Sequence, residues 1–228
     1  MRDNVNKVFE DTNDFFSSFD GFQEIYDNFT FGPRHPGMAP ERLEVLSTLK
    51  EITGFLNIQS HHDSFRNLGA FRNLEVIGGR TLTEYFASLY IVKTSLTSLG
   101  LRSLRKISSG SVAILENEEL CYAGDINWTQ IMRSQVHNTL LQNNRDPGKC
   151  IAGGAVCDKQ CSSEGCWGPG NKMCLSCRTY NVDEECVPSC DPNLGLYEAG
   201  KEFIPPLIIF GQTTLLTRLI YASAFLLE

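Results

Sequence analysis

Nine cysteines carry most of the chemistry open to this chain, and seven of them fall within 34 residues, at positions 157, 161, 166, 174, 177, 186 and 190. Thiols spaced this closely either oxidise in pairs or, as thiolates, ligate a metal. Around them stand Ser162, Ser163, Gly165, Gly168 and Pro169, with almost no aliphatic periodicity. Such a segment cannot build a hydrophobic core and has to be held by covalent cross-links. Cys174-x2-Cys177 and Cys186-x3-Cys190 have zinc-ligand spacing, but a zinc site leaves Cys157, Cys161 and Cys166 without a role. Disulfides and no metal are therefore expected, which points to an oxidising, extracellular setting.

No other group of residues is arranged for catalysis. His35, His61, His62 and His137 lie in polar or turn-like contexts without a nucleophilic Cys or Ser nearby, and they read as solvated loop residues. Neither a glycine-rich nucleotide loop nor the catalytic-loop and metal-binding aspartate signatures of a kinase occurs. We therefore expect no enzyme activity and no cofactor. A formal net charge of -7 and a pI near 5.2 argue against nucleic acid or an anionic membrane as partner. Arg102, Arg105 and Lys106 are scattered among apolar positions and read as a solvated face.

The elements that must carry the cysteine segment lie upstream, where only Cys121 and Cys150 occur and Leu, Ile, Val and Phe are plentiful. About 150 residues suffice to bury roughly two-thirds of the unfolded surface. Within this region a pattern recurs as Leu49-Lys-Glu-Ile52-Thr-Gly54, Leu74-Glu-Val-Ile77-Gly-Gly79 and Leu104-Arg-Lys-Ile107-Ser-Ser-Gly110, at Leu to Leu spacings of 25 and 30 residues. Leu46, Phe71 and Leu101 stand three positions before each copy. Repetition at this period predicts a solenoid whose coils bury their inner faces against one another. The runs Phe55 to Ile58, Leu89 to Val92 and Val112 to Leu115 are the expected strands, and Gly54, Gly79 and Gly110 the expected corners.

Several strings then carry a specific resemblance. Lys50-Glu-Ile-Thr-Gly-Phe-Leu56, Gly79-Arg-Thr81, Thr97-Ser-Leu-Gly-Leu-Arg-Ser-Leu104, Ile107-Ser108, Leu120-Cys-Tyr-Ala123, Ile126-Asn-Trp128 and Gly165-Cys-Trp-Gly-Pro169 occur in order. From about Gly21 to Gly195 the chain resembles the epidermal growth factor receptor (ErbB) family. The resemblance implies a mainly β fold: a right-handed β-solenoid, the second receptor L domain, which is leucine-rich-repeat-like. The opening modules of a small, disulfide-rich growth factor receptor domain would follow. In that family two L domains clamp an EGF-like growth factor, and one half of the clamp is expected here.

Carried over from the family, the pairing joins Cys121 to Cys150, Cys157 to Cys166, Cys161 to Cys174 and Cys177 to Cys186, leaving Cys190 unpaired. Ligand-binding residues implied in the same way are Asp27, Phe29, Gln59 and Val92, with Asp27 placed to pair with a ligand arginine. Asn57, Thr83, Glu84 and Ala87 depart from the family at this surface, so ligand identity does not transfer. Asn28-Phe-Thr30 and Asn127-Trp-Thr129 are glycosylation sequons, although Trp128 packing on the solenoid end would hold Asn127 against the fold.

The expected organisation is an unmatched segment over 1–18, a receptor L domain lacking its first coil over 19–152, a partial cysteine-rich domain over 153–200, and a divergent hydrophobic tail over 201–228. Met1 is not followed by the apolar run of a signal peptide. Arg218 and neighbouring polar residues argue against a membrane span in the tail, which reads as a splice or gene-model end. The function expected is an extracellular ligand-binding fragment of an ErbB-like receptor tyrosine kinase, at the outer face of the plasma membrane. Its partners would be the growth factor, the first L domain of the same receptor through the shared ligand, and a receptor homo- or heterodimer. Alternatives are a secreted decoy that sequesters growth factor, and a receptor kinase by descent alone.

Overall fold

The computed structural model describes residues 24–25, 29–31, 40–59, 63–132, 138–189, 197–199 and 202–204. Among the described residues nine strands form the upstream domain: β1 (Glu24–Ile25), β2 (Phe29–Phe31), β3 (Glu51–Ile52), β4 (Leu56–Ile58), β5 (Val76–Ile77), β6 (Ala87–Val92), β7 (Lys106–Ile107), β8 (Ser111–Leu115) and β9 (Thr139–Gln142). All pair in parallel, in two sheets ordered β1-β3-β5-β7 and β2-β4-β6-β8-β9. Up to β8, consecutive strands of one sheet are separated by a strand of the other, which is the path of a β-solenoid.

The repeat read from the sequence is the coil itself. In each copy the second leucine's N–H donates to the apolar residue three positions earlier, Leu49 to Leu46, Leu74 to Phe71 and Leu104 to Leu101, each at 2.9 Å. Ile52, Ile77 and Ile107 then fall in register on the four-stranded sheet. Leu56, Leu89 and Val112, with Ile58, Ile91 and Ile114, do so on the five-stranded one. All these side chains join one buried core with the repeat leucines. The coils are stapled by bonds between equivalent positions, such as Gly78 N–H to the Ile52 carbonyl and Ser108 N–H to the Ile77 carbonyl. Corner glycines are needed at Gly79 and Gly110, whose φ angles are 68° and 81°. A Cβ at Gly79 would stand 2.1 Å from the Ser109 carbonyl oxygen. Gly54 is not among the described glycines in the left-handed conformation.

At the downstream end of the larger sheet, polar residues replace the apolar rows. Asn117 is fully buried; its Oδ1 accepts from the Thr94 N–H and hydroxyl, and its Nδ2 donates to the Ile91 carbonyl and to Asn144 Oδ1. Asn144 in turn donates to the Ile114 carbonyl at 2.8 Å. This lattice ties three successive coils where their strands end. Asn117→Ala is expected to lower unfolding stability by about 2 to 3 kcal/mol, read from denaturant melts, because buried partners are left without their bonds.

Two short helices, α1 (Trp128–Ile131) and α2 (Pro147–Ala152), lead out of the solenoid. Asp146 caps α2 by accepting from the Lys149 N–H, with Pro147 in the first turn, a favoured place for proline. Among the described residues four disulfides take over: Cys121–Cys150 ends within α2, and Cys157–Cys166, Cys161–Cys174 and Cys177–Cys186 follow it. Six of these cysteines, Cys121, Cys150, Cys161, Cys166, Cys174 and Cys186, make up with Tyr122 a second, smaller buried cluster, flanked by half-buried Cys157, Cys177 and Ala155. A hairpin of β10 (Tyr180–Val182) and β11 (Glu185–Val187) follows, and β12 (Tyr197–Ala199) and β13 (Glu202–Ile204) extend its sheet.

The two modules share a core. Trp167, from the cysteine-rich side, is fully buried in the solenoid cluster and meets Trp128 edge-on at 5.7 Å between ring centroids. Its carbonyl accepts from the Gly100 N–H at 2.8 Å, and the Asn127 N–H donates to the Glu164 carbonyl at 2.9 Å. At Gly165, φ is 96° and a Cβ would lie 2.0 Å from the Asp125 carbonyl oxygen, so only glycine permits this approach.

Candidate functional site

The five-stranded sheet has a second face. Strand alternation sends Leu89 and Ile91 of β6 into the core, while Tyr90 and Val92 lie outside the core cluster. Register then builds two rows across the outer face. One runs Asn57, Tyr90, Ala113, Leu140; the next runs Val92, Leu115, Gln142. Gln59 follows Ile58, the register partner of Ile91, and so stands beside Val92 at the head of the second row. Two of the residues expected from the sequence, Gln59 and Val92, are thus brought together.

Phe29 lies in β2, opposite Leu56 in register. Asp27, Asn28 and Cys190 lie outside the described residues, as do the four histidines, the segment 1–18 and the tail from residue 205.

Gln59 is held from behind. Its Nε2 donates to Asn57 Oδ1 at 3.0 Å, and Asn57 Nδ2 donates to Thr83 Oγ1 at 3.1 Å. Asn57 and Thr83 are both buried. These two positions, departures from the family pattern when read singly, pair with each other in space. The face also gathers charge: burial, together with Glu84 and Glu116, pushes the Tyr90 phenol above its ordinary pKa. Glu116 forms an exposed ion pair with Lys93, 3.5 Å away.

Sequence reasoning missed Tyr90, Leu115, Tyr85 and Phe86. The first two already stood in runs assigned to strands, and alternation within β6 and β8 could have placed them on the outer face. Tyr85 and Phe86 protrude from a tight turn at the start of β6, and Tyr85 is 99% exposed.

The other expected positions fall at the junction. Asn127 precedes α1, and its Nδ2, the atom a glycan would occupy, donates to Glu164 Oε2 at 2.7 Å while its Oδ1 accepts from the Thr129 hydroxyl. Trp128 beside it is buried in the solenoid core. Among the described residues no group of three His, Cys, Asp or Glu side chains is placed to hold a metal ion, and no helix is long and apolar enough to cross a membrane.

Comparison with known proteins places these features in a family context. Residues 23–132 match the family model "Receptor L domain", and residues 156–202 match "Growth factor receptor domain IV". The chain is 62% identical over 185 residues to the epidermal growth factor receptor of Apis mellifera, covering 81% of this chain and 14% of that protein. It is 48% identical over 174 residues to the epidermal growth factor receptor of Drosophila melanogaster, covering 76% and 12%. To that of Gallus gallus it is 46% identical over 154 residues, covering 68% and 22%. The chain therefore spans less than a quarter of the length of these curated relatives.

Proposed function

Because the chain belongs to the epidermal growth factor receptor family, as a receptor L domain leading into a disulfide-rich growth factor receptor domain, we propose that it supplies one half of an extracellular growth-factor site. The observation that carries this reading is the continuous outer face on which Gln59, Val92, Leu115 and Tyr90 stand together. A rigid, parallel-paired sheet presents these side chains already ordered, so a ligand that binds there loses little to ordering them. Half-buried Leu115 beside polar Gln59, with Val92 only 8% exposed behind them, suits a folded peptide ligand that buries a few side chains inside a hydrogen-bonding rim. Asp27 and Phe29 are further contacts in our reading on the family resemblance alone, since Phe29 pairs in register with Leu56, a residue of the core row. The mechanism is recognition: this domain grips the growth factor, and a first L domain elsewhere in the receptor grips its other side. Dimerisation and any kinase activity belong to the parent receptor.

Binding tests this directly. The chain, secreted from eukaryotic cells and purified under non-reducing conditions, is presented with the source organism's own EGF-like modules one at a time. At least one module should bind, and Leu115→Asp should weaken that binding about 10-fold or more with the melting temperature unchanged, since Leu115 is only half-buried. A panel in which no module binds, or in which Leu115→Asp binds as the natural chain does, removes the outer face from the site.

A further inference from the structure

The solenoid ends on an open edge. β9 is the last strand of the five-stranded sheet, and its register with β8 is fixed by two printed bonds of the ladder: the Val112 N–H donates to the Asn138 carbonyl at 3.1 Å and the Glu116 N–H to the Gln142 carbonyl at 2.9 Å. Asn138, Leu140 and Gln142 therefore turn their backbone polar groups toward β8, and Thr139 and Leu141, which alternate with them, turn theirs away. Among the described residues no strand pairs with β9 on that side, and no other backbone bond reaches Thr139 or Leu141. Proteins blunt such edges with charge, with proline or with a covering segment. Thr139-Leu-Leu-Gln142 has neither charge nor proline, which leaves the covering segment.

The edge opens on a groove of about 620 Å³ where the solenoid, α2 and the cysteine-rich module meet. Leu141 and Asn143 line it from the edge, Asp125 from the loop before α1, Ile151 from α2 and Val156 from the link into the cysteine-rich module. Ile151 is 66% and Val156 49% exposed. Of the four large apolar side chains left in solvent among the described residues, two thus stand in this one groove. Unpaired main-chain groups beside exposed aliphatic side chains suit an extended apolar strand, the first binding its backbone and the second its side chains.

This chain carries such a strand. Residues 213–221, Thr213-Thr-Leu-Leu-Thr-Arg-Leu-Ile-Tyr221, are rich in β-branched and aromatic residues and contain no glycine or proline. They follow β13, which ends at Ile204, after the intervening residues 205–212. Extended, those residues span up to about 28 Å, close to the diameter of a small domain, so the groove is within reach. Charge agrees as well. Arg218 is the one cation from residue 205 onward, and Asp125 is the one acid lining the groove; among the described residues Asp125 enters no ion pair.

We propose that residues 213–221 dock in this groove as an added strand on the free edge of β9, with Arg218 set against Asp125. The docked strand caps the solenoid and clamps the joint between the two modules from outside. Amide hydrogen exchange on the full chain, secreted and kept non-reduced, tests it residue by residue. The Leu141 amide should exchange at least 100-fold more slowly than an unstructured amide. Leu216→Pro with Leu219→Pro, which removes donors from the tail and spares both folded modules, should speed that exchange about 10-fold or more, while the Ile91 and Ile114 amides of the buried rows stay as slow as before. Ile151→Asp, at an exposed position, should act in the same way. Arg218→Glu should do so in part, and adding Asp125→Lys to it should restore protection. A Leu141 amide that exchanges freely in the natural chain overturns the proposal, as does protection that the tail variants leave unmoved. Protection that fades on dilution gives the edge to a second copy, and a tail that partitions into phosphatidylcholine vesicles with Leu141 unprotected gives the strand to a membrane; either result overturns it too.

Discussion

Trp167→Ala should lower the stability of the chain by about 3 to 5 kcal/mol, the range for deleting a large buried aromatic side chain. Trp167 belongs to the cysteine-rich module by sequence but to the solenoid core by packing: it is fully buried among the repeat leucines and edge-on to Trp128. Its removal opens a cavity at the point where the two modules meet, and the neighbouring backbone bonds, Gly100 to Trp167 and Asn127 to Glu164, lose the packing that aligns them. Denaturant unfolding should show the loss, and limited proteolysis should find new cleavage between residues 153 and 166. Trp167→Phe is the informative control. The indole N–H of Trp167 has no acceptor, so phenylalanine gives up ring volume but no hydrogen bond, and its cost should stay clearly below that of alanine. Equal losses for the two variants would mean that the indole, not its bulk, makes the joint.

Replacing Cys121 and Cys150 together by serine should cost about 3 to 4 kcal/mol, from the chain entropy released when a loop of this length is opened. The bond joins residues 29 apart, and β9 lies between them. Both sulfurs are buried, and the Cys121 N–H donates to the Thr97 carbonyl, so the bond ties α2 to the coil behind it. Without it β9 is held by its parallel pairing with β8 and by the Asn117 and Asn144 lattice at its end. Urea melts of the double variant against the natural chain measure the loss. If the midpoint barely moves, the lattice of Asn117 and Asn144 is sufficient to hold this end of the solenoid.

Much of the fold was legible because the solenoid writes its period into the sequence. Leu49, Leu74 and Leu104 with their partners three positions upstream mark the same turn in every coil, and Ile52, Ile77 and Ile107 mark one strand each. The outer face was harder to read. Gln59 and Val92 came from resemblance, whereas Tyr90 and Leu115 needed the register between strands, which no single strand reveals. Asn57 and Thr83 looked like isolated substitutions because their partnership spans 26 residues and exists only in three dimensions. The Glu84-Tyr85 turn was invisible for a different reason: sequence signals for left-handed turns are glycine and asparagine, and neither is present. The role of buried Asn117 went unread as well, since its four side-chain bonds reach residues 23 to 27 positions away. Disulfide connectivity cannot be computed from spacing, and only a family pattern could suggest it.

The four disulfides also set an order in time. Their partners are 29, 9, 13 and 9 residues apart, and only Cys157–Cys166 and Cys161–Cys174 interleave. A chain entering an oxidising compartment from its N-terminal end presents Cys121 and Cys150 together before most of the later thiols have emerged, and each following pair completes soon after its first member. Ends this close meet in well under a microsecond to microseconds, far faster than thiols oxidise, so loop closure does not limit the pairing. Local pairing of this kind lets the rod be built behind the advancing chain, one link after another, with the finished solenoid as its foundation.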